Sequence, residues 1–317
     1  MKISLIGYGY WGRNIARTLK ELDIKIETIF DLDKNQINEA KKLYKFKEYS
    51  SLEEILKNSN IVFIATPPST HYIIAKKALE FNTHIFVEKP FTLNLKEAYE
   101  LIEIAEKKNL KYMVDHVFIY SEPVKFLKNN LASFGDIFYI NSRRINLGLF
   151  QYATDVIWDL AVHDLSIIDY LVGLDIKKVN VFKKKYKNFP NEAIANINLE
   201  LKNDILIGIN VSWLSPVKVR EMIIGGTKKT ALYDDTAEKK IKLFNAGVML
   251  ETSKYEAMKY LVKYNYGDIE IPNLPNKMSL SNAISHFIDC VKNNKTPITD
   301  KKSILPVIEA LEIISKV

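Results

Sequence analysis

The stretch Thr83-His84-Ile85-Phe86-Val87-Glu88-Lys89-Pro90 decides how the chain is read. Three large apolar residues in a row, Ile85 to Val87, fit a short strand buried on both faces, as inside a parallel sheet. The strand ends on two opposite charges and a proline. Proline has no N–H for a ladder, so pairing stops and the chain turns. In open α/β sheets, ligands gather outside the carboxyl ends of the strands. Glu88 and Lys89 therefore stand where chemistry is expected. A surface ion pair closing a strand would use the same residues, and this stretch alone does not separate the two.

Outward from it, strands and helices alternate. Strand Ile3–Ile6 leads to helix Trp11–Leu22, and strand Ile26–Phe30 to a helical pattern ending at Leu43. A short helix, Leu52–Leu56, precedes strand Ile61–Ala65 and helix Tyr72–Phe81; helix Leu95–Lys107 and strand Tyr112–Val114 follow the quoted segment. Repeated βα units of this length predict a parallel sheet with helices on both faces. After about Val117 the pattern changes. A helix over Pro123–Leu131, a strand-like Ile137–Ile145 and a helix from Val156 to about Leu171 come first. Strands over Val179–Phe182, Ala193–Leu201, Ile205–Trp213, Val217–Ile224 and Thr230–Tyr233 then succeed one another through short turns, which predicts an antiparallel sheet. An irregular connection, Gly267–Lys277, and two amphipathic helices, Ser281–Lys292 and Ser303–Lys316, come last. The expected fold is α/β: a doubly wound parallel Rossmann sheet over residues 1–117, then an α+β domain with a largely antiparallel open sheet over 118–317.

The 317 residues carry 45 basic and 38 acidic side chains, a formal charge of +7. The lysines are scattered along amphipathic helices and the densest run, Lys183-Lys184-Lys185, is short. A solvated basic face is expected rather than a nucleic-acid surface, and its field would favour an anionic substrate. The single cysteine, Cys290, excludes an internal disulfide and shares a helical pattern with Ile284, Phe287 and Ile288. A buried structural thiol and a reducing, cytoplasmic setting are expected. The apolar run at the start is too short for a signal peptide, and no run approaches the ~20 residues that span a bilayer. A soluble protein is expected.

Gly7-Tyr8-Gly9-Tyr10-Trp11-Gly12 fits G-x-G-x-x-G between a predicted strand and a predicted helix, the context that the motif requires. Gly7 permits the tight turn and Gly9 lets backbone approach a pyrophosphate. Gly12 lets helix and strand pack closely, and the helix N-terminus faces the anion. Asp31 ends the second strand, where an acid binds a ribose 2′-OH and repels a 2′-phosphate; NAD is expected over NADP, with Lys34 nearby. Thr66, Pro67 and His71 belong to the loop that ends the next strand and opens a helix. That loop is expected over the cofactor, with Ser69 or Thr70 as helix cap.

Asp159 and His163 are four residues apart in an otherwise apolar helix containing Trp158, Leu160, Val162 and Leu165. They share one helix face, and apolar neighbours shift pKa values, so the pair is an acid/base candidate. A lone histidine there would more often be a satisfied core residue.

On these residues the chain resembles the glucose–fructose oxidoreductase and inositol dehydrogenase family (Gfo/Idh/MocA). The glycine loop, Glu88-Lys89-Pro90, Asp159 with His163, Gly225-Gly226-Thr227-Lys228-Lys229 and Thr296-Pro297-Ile298-Thr299-Asp300 carry the likeness. The resemblance implies that Lys89 and His163 face the nicotinamide, with Asp159 on the substrate side. Gly7–Gly12, Arg144-Ile145-Asn146-Leu147-Gly148, Ile157–His163 and Ser212–Arg220 resemble a branch tied to surface polysaccharides and nucleotide sugars, including UDP-N-acetylglucosamine 3-dehydrogenases. Many members carry a glycine cluster before the Asp–His helix; here Gln151-Tyr152-Ala153-Thr154 stands there.

The implied reaction is NAD-dependent oxidation of a sugar hydroxyl, at C3 of a nucleotide-linked N-acetylhexosamine, with no metal. Lys89 serves as proton acceptor or oxyanion stabiliser and His163 as its partner or alternative. Asp159 orients His163 or holds a substrate hydroxyl, and Glu88 turns toward the nicotinamide ribose. Arg144 and Asn146 are candidates for diphosphate or N-acetyl oxygens, or equally a strand-edge arginine and a turn asparagine. Trp213 and Lys218 read as core and solvated lysine, and His116 and Tyr120 as minor substrate candidates. An inositol or free-sugar dehydrogenase is the same-class alternative, and a non-catalytic NAD-binding regulator the other. A homodimer or homotetramer through the open sheet face is expected.

Overall fold

A computed structural model describes residues 1–148, 150–252, 260–265 and 267–317. The chain divides into two compact units: Met1–Ser121 with Lys277–Glu312, and Glu122–Asn276 with Ile313–Val317.

In the first unit β1 (Ile3–Ile6), α1 (Tyr10–Glu21), β2 (Thr28–Phe30), α2 (Lys34–Leu43), α3 (Leu52–Lys57), β3 (Ile61–Ile64), α4 (Pro68–Glu80), β4 (His84–Val87), α5 (Leu95–Lys107) and β5 (Tyr112–Val114) follow in order. The five strands are parallel in the order β2-β1-β3-β4-β5. Every residue of β1 and β3 is buried, as their unbroken apolar runs require of inner strands. Asp33, Ser51 and Asn94 cap α2, α3 and α5, each side chain accepting a backbone N–H of the first turn. The sequence order reverses on either side of β1, so the ends of β1, β2, β3 and β4 converge on the crevice where such sheets bind ligands.

The second unit opens with α6 (Glu122–Asn130) and β6 (Ile137–Leu147). A π-helical turn, Ile157–Ala161, runs into α7 (Val162–Val172). Next come β7 (Ile176–Lys185), β8 (Glu192–Leu201), β9 (Leu206–Ser212), β10 (Leu214–Gly226), β11 (Thr230–Asp234), β12 (Ile241–Phe244), β13 (Gly247–Thr252), β14 (Tyr260–Asn265) and β15 (Ile269–Glu270). Eight of them form one sheet, β15-β12-β11-β10-β6-β9-β8-β7, and β13 pairs with β14 apart from it. All neighbours are antiparallel except β6 and β9. The meander β7-β8-β9 runs back to lie beside β6, which produces the single parallel pair. Strands β12 to β15 extend past the last strand expected from the sequence.

The chain then returns with α8 (Ser279–Lys292) and α9 (Lys301–Lys316). A boundary after residue 117 gives both helices to the second domain; the packing assigns 277–312 to the first unit instead. The cause is the apolar face of α8. Phe287 lies 6.3 Å from Phe63 on β3 and 5.7 Å from Phe86 on β4, ring centre to ring centre. A parallel sheet needs both faces covered, and α8 supplies part of that cover. The Thr296–Asp300 stretch fastens the return: Thr299 Oγ1 donates to Val114 O at 2.7 Å and lies 3.0 Å from the Tyr120 hydroxyl. His116 Nδ1 meets Ser303 Oγ at 2.9 Å. His116 and Tyr120, minor substrate candidates by sequence, are thus buried fasteners. Cys290 is buried, as its helical pattern predicts. Among the described residues no helix is long and apolar enough to cross a membrane.

Candidate active site

The glycine loop joins β1 to α1. Gly7 has φ +91°, and a Cβ there would fall 2.5 Å from Ala65 O. A Cβ on Gly12 would strike Gly7 O. Both glycines are demanded by the chain itself. Gly9 is not: a Cβ there would meet nothing within 4 Å. It heads α1, whose start has no side-chain cap. An uncapped helix start beside open backbone fits an anionic pyrophosphate. Asp31 completes the cradle. Its Oδ2 accepts Tyr8 N–H at 2.6 Å and its Oδ1 accepts Asp33 N–H at 2.9 Å, which fixes the carboxylate beside the loop. A cavity of about 320 Å³ opens next to Asp31, walled by Phe30, Lys34, Ile37, Asn38, Tyr49 and Ile55 among others. Tyr10 and Trp11 stand exposed at the loop. These features fit a dinucleotide: Gly9 and the α1 start for its pyrophosphate, Asp31 for a ribose.

The loop after β3 is organised by His71. Its ring is 0 % exposed. Nδ1 lies 2.8 Å from Pro90 O and Nε2 2.8 Å from Thr66 O. The imidazole clasps the Thr66 loop to the Lys89–Pro90 turn, so it positions both and offers no atom to a cofactor, contrary to its place among the expected contacts. Burial, with the Lys89 charge adding to it, holds the ring below its ordinary pKa. A neutral ring has one N–H for the two carbonyls. Thr66 is half-buried and Pro67 exposed. Pro67, rather than Ser69 or Thr70, is the N-cap of α4, and the Thr70 hydroxyl bonds back to Pro67 O at 2.7 Å.

At the end of β4, Glu88 points inward rather than toward a ribose. It is 5 % exposed, and Asp115, which ends β5, is 2 % exposed. Val87 pairs with Val114 in register, so the next residue on each strand is a carboxylic acid beside the other. One oxygen of each carboxyl, Glu88 Oε1 and Asp115 Oδ1, is buried without a hydrogen-bond partner. Burial pushes Glu88 far above its ordinary range and Asp115 upward too; the Lys89 charge opposes both shifts. Lys89 itself is half-buried. Asp115 escaped the sequence reading. The signal was present: two neighbouring buried strands each end on an acid.

In the second unit Asp155 starts the helix, its Oδ1 accepting Ile157 N–H and Trp158 N–H at 2.9 Å each. The following turn is wider than an α-turn, the Val162 N–H reaching back to Ile157 O, and Asp159 lies within it. Such π-turns recur at functional sites. Trp213, 1 % exposed, donates Nε1–H to Asp159 Oδ2 at 3.0 Å. Its burial matches the core reading, yet its one polar atom is spent on the candidate carboxylate. His163, just past the π-turn, is half-buried. Arg144 differs from expectation. It is 3 % exposed, and its Nε and Nη2 both donate to Asp164 at 3.0 Å. This two-pronged ion pair ties β6 to α7 next to His163, rather than leaving the guanidinium open to substrate. Removing one partner of such a pair costs about 3–5 kcal/mol. Asn146 is half-buried, near the ring of Trp213 and Gly148. The segment without glycines is pinned by Asn191, whose Nδ2 lies 2.8–3.1 Å from the carbonyls of Gln151, Tyr152 and Thr154. Phe150 packs on Trp213 at 5.4 Å and Phe189 at 4.8 Å.

Comparison with known proteins agrees with this architecture. A model of an oxidoreductase family with an NAD-binding Rossmann fold matches residues 1–116, and one of the GFO/IDH/MocA C-terminal domain matches 138–232. A UDP-N-acetylglucosamine 3-dehydrogenase of Acidithiobacillus ferrooxidans is 30% identical over 187 residues, 57% of this chain and 58% of that protein. An inositol 2-dehydrogenase of Salmonella typhimurium is 26% identical over 196 residues, 57% of each chain. The chain thus spans under two thirds of the length of these curated relatives. A solved structure of the Acidithiobacillus ferrooxidans UDP-N-acetylglucosamine 3-dehydrogenase superposes with a TM-score of 0.83 at 22% identity, covering 100% of this chain and 97% of that one. A levoglucosan dehydrogenase solved with NADH gives 0.82 at 16% identity, covering 100% and 96%. With family models matched to both halves, this chain belongs to the Gfo/Idh/MocA family of oxidoreductases and carries that family's NAD-binding Rossmann fold.

Proposed function

We propose that the protein oxidises a sugar hydroxyl to a ketone with NAD, and that the sugar is a nucleotide-linked N-acetylhexosamine oxidised at C3. The observation that carries the reading is the acid/base set kept in a chain with a dinucleotide cradle: Lys89 at the end of β4 in the first unit and, in the second, Asp159 fixed by a buried tryptophan one turn before His163. A non-catalytic NAD sensor has no use for it. The nucleotide-sugar part is supported by the 30% identical relative's name and by the +7 formal charge, which suits an anionic substrate.

Bound NAD supplies a two-electron acceptor. Lys89 takes the hydroxyl proton or steadies the oxyanion. His163 is its partner or alternative. Asp159, held by Trp213, orients His163 or a substrate hydroxyl. Asp31 favours NAD over NADP because a carboxylate there repels a 2′-phosphate. Association belongs to the same proposal: Tyr139 on β6, Leu206 on β9 and Phe182 on β7 are exposed on one face of the sheet, and a second copy in a dimer or tetramer would cover them. Residues 26% identical to an inositol 2-dehydrogenase favour the second reading, a polyol or free-sugar dehydrogenase.

Absorbance of NADH, followed while the protein and NAD meet UDP-sugars and free polyols, tests both. A signal with UDP-N-acetylglucosamine or its uronate that is lost in Lys89→Ala supports the first reading. A signal with inositol alone moves the activity to the second.

A further inference from the structure

Tyr152 sits between β6 and the π-turn, and its ring is 81 % exposed. A single exposed tyrosine on a loose loop would need no account. This one is held from two sides. Asn191 Nδ2 lies 2.8 Å from Gln151 O, 3.1 Å from Tyr152 O and 3.1 Å from Thr154 O, which clamps the segment to the β7–β8 connection. Ring against ring, Tyr152 meets Phe189 at 5.0 Å, Phe189 meets Phe150 edge-on at 4.8 Å, and Phe150 meets Trp213 at 5.4 Å. Tyr186, also exposed, comes to 6.0 Å from Phe150. The run of rings begins in water at Tyr152 and ends at the indole whose Nε1 donates to Asp159. Tyr152 and Phe189 are tilted by 53° rather than stacked, and with the exposure of its ring this leaves a face of Tyr152 open. The same connection is basic. Lys184, Lys185 and Lys187 are exposed, and Lys187 Nζ stands 5.3 Å over the Tyr186 ring. Lys183 is spent elsewhere, donating to Ser315 O at 2.9 Å. Glu192, in register with Lys185, is the acid across the ladder. Three lysines against it leave this edge positive.

We propose that Tyr152 is the stacking platform for the base of a nucleoside diphosphate-linked substrate, with Lys185 and Lys187 set for its diphosphate. An open aromatic face beside cations suits a nucleotide, whose base stacks on the ring while its phosphates meet the ammonium groups. The proposal rests on the nucleotide-sugar reading and extends it to the far end of the substrate: the acid stands at one end of the ring run and the base at the other. Clamping by Asn191 and packing on Phe189 hold the platform ready, which removes the ordering cost that a loose segment would incur on binding. Every base presents a π face, so stacking alone does not tell uracil from another base. The site takes the class, nucleoside diphosphates, rather than one member of it.

UDP is the probe. Calorimetric titration of UDP into the purified protein, with NAD present, should give binding that Tyr152→Ala weakens at least about tenfold, the loss of one stack. Tyr152→Phe, which keeps the ring, should bind UDP like the parent. CDP should bind as UDP does, whereas inorganic pyrophosphate, having no base, should bind the parent and Tyr152→Ala equally. Lys187→Gln should weaken UDP and pyrophosphate together. With UDP-N-acetylglucosamine as substrate, the loss in Tyr152→Ala should fall on KM rather than kcat, because the stack is the same in ground and transition states. No UDP binding by the parent, or equal binding by Tyr152→Ala, overturns the platform even if the nucleotide sugar is oxidised. UDP binding that needs Tyr152, with no nucleotide sugar oxidised, upholds the platform and ends the proposed reaction instead. Light scattering covers the other occupant, a second copy of the chain. A Tyr152→Ala protein that falls to a smaller assembly with unchanged UDP affinity assigns the ring to a subunit contact and overturns the proposal.

Discussion

The indole Nε1 of Trp213 donates to Asp159 Oδ2 at 3.0 Å, from a ring that is otherwise sealed in the core. A hydrogen bond to a carboxylate is worth about 1.5–3 kcal/mol, enough to hold a half-buried acid in one orientation. Trp213→Phe keeps most of the ring and removes the donor. Turnover should fall by at least about tenfold, the equivalent of about 1.4 kcal/mol, while NAD affinity stays at the parent value, since the cradle lies in the other unit. Asp159→Asn keeps an acceptor for the indole but loses the charge, so it separates placement from electrostatics. Equal turnover in Trp213→Phe and the parent would remove Asp159 from the mechanism or the tryptophan from its support.

The three loop glycines should not behave alike. Gly12→Ala drives a methyl into the Gly7 carbonyl, so the protein should lose stability whether or not cofactor is present. Gly9→Ala meets only open space, so the apo protein should melt within about 0.5 kcal/mol of the parent. Its NAD affinity should nevertheless drop by at least about tenfold, because the methyl occupies the approach to backbone that a pyrophosphate needs. Calorimetric titration with NAD beside apo denaturation curves checks both. Unchanged NAD binding in Gly9→Ala would disconnect the loop from the phosphates.

His116 predicts the acid side of the stability curve. Burial lowers its pKa to about 3, against about 6.5 for an exposed histidine. The folded state therefore binds fewer protons than the unfolded chain between those values. Stability contributed by the neutral ring is complete above the unfolded pKa and is lost as pH falls toward the folded one. The loss is at most about 1.4 kcal/mol per pH unit for one group. His116→Gln, neutral throughout and still able to bond Ser303, should flatten that limb. Glu88 and Asp115 act with opposite sign, because raised carboxyl pKa values cost stability as pH climbs past the ordinary acid range. Denaturant midpoints measured across the acid range read the slope; parallel curves for parent and variant would show that His116 is not the titrating group.

The architecture of the first unit was legible because its strands are short, apolar runs and its helices are separated by recognisable turns. Ile61–Ile64 has no polar position to betray a second face, and Asp33, Ser51 and Asn94 mark their helix starts openly. The cofactor end was legible for a related reason: the glycine loop is a local device. What escaped depended on partners distant in sequence. Arg144 reads as an available guanidinium until Asp164 is brought beside it by the return of α7 onto β6. His71 reads as a loop histidine until Pro90 O and Thr66 O close around it. Asp115 becomes chemical only through the Val87–Val114 register. The π-turn at Asp159 leaves no mark in composition, since the residues are ordinary helix formers and only the spacing of their hydrogen bonds differs. Strands such as Ile241–Phe244 are too short to stand out without the neighbours that pair with them.

Phe63 and Phe86 leave the ribosome long before Phe287, the ring that roofs them. Throughout synthesis of the second unit, the earlier sheet keeps an aromatic face turned to water, and that surface is an open invitation to aggregate or to meet a chaperone. A chain stopped after its first half already contains the glycine loop and Lys89, yet remains an unfinished body. Helix α8 therefore closes a sheet made much earlier, and a frameshift or a protease cut ahead of it strikes the half that holds the glycine loop.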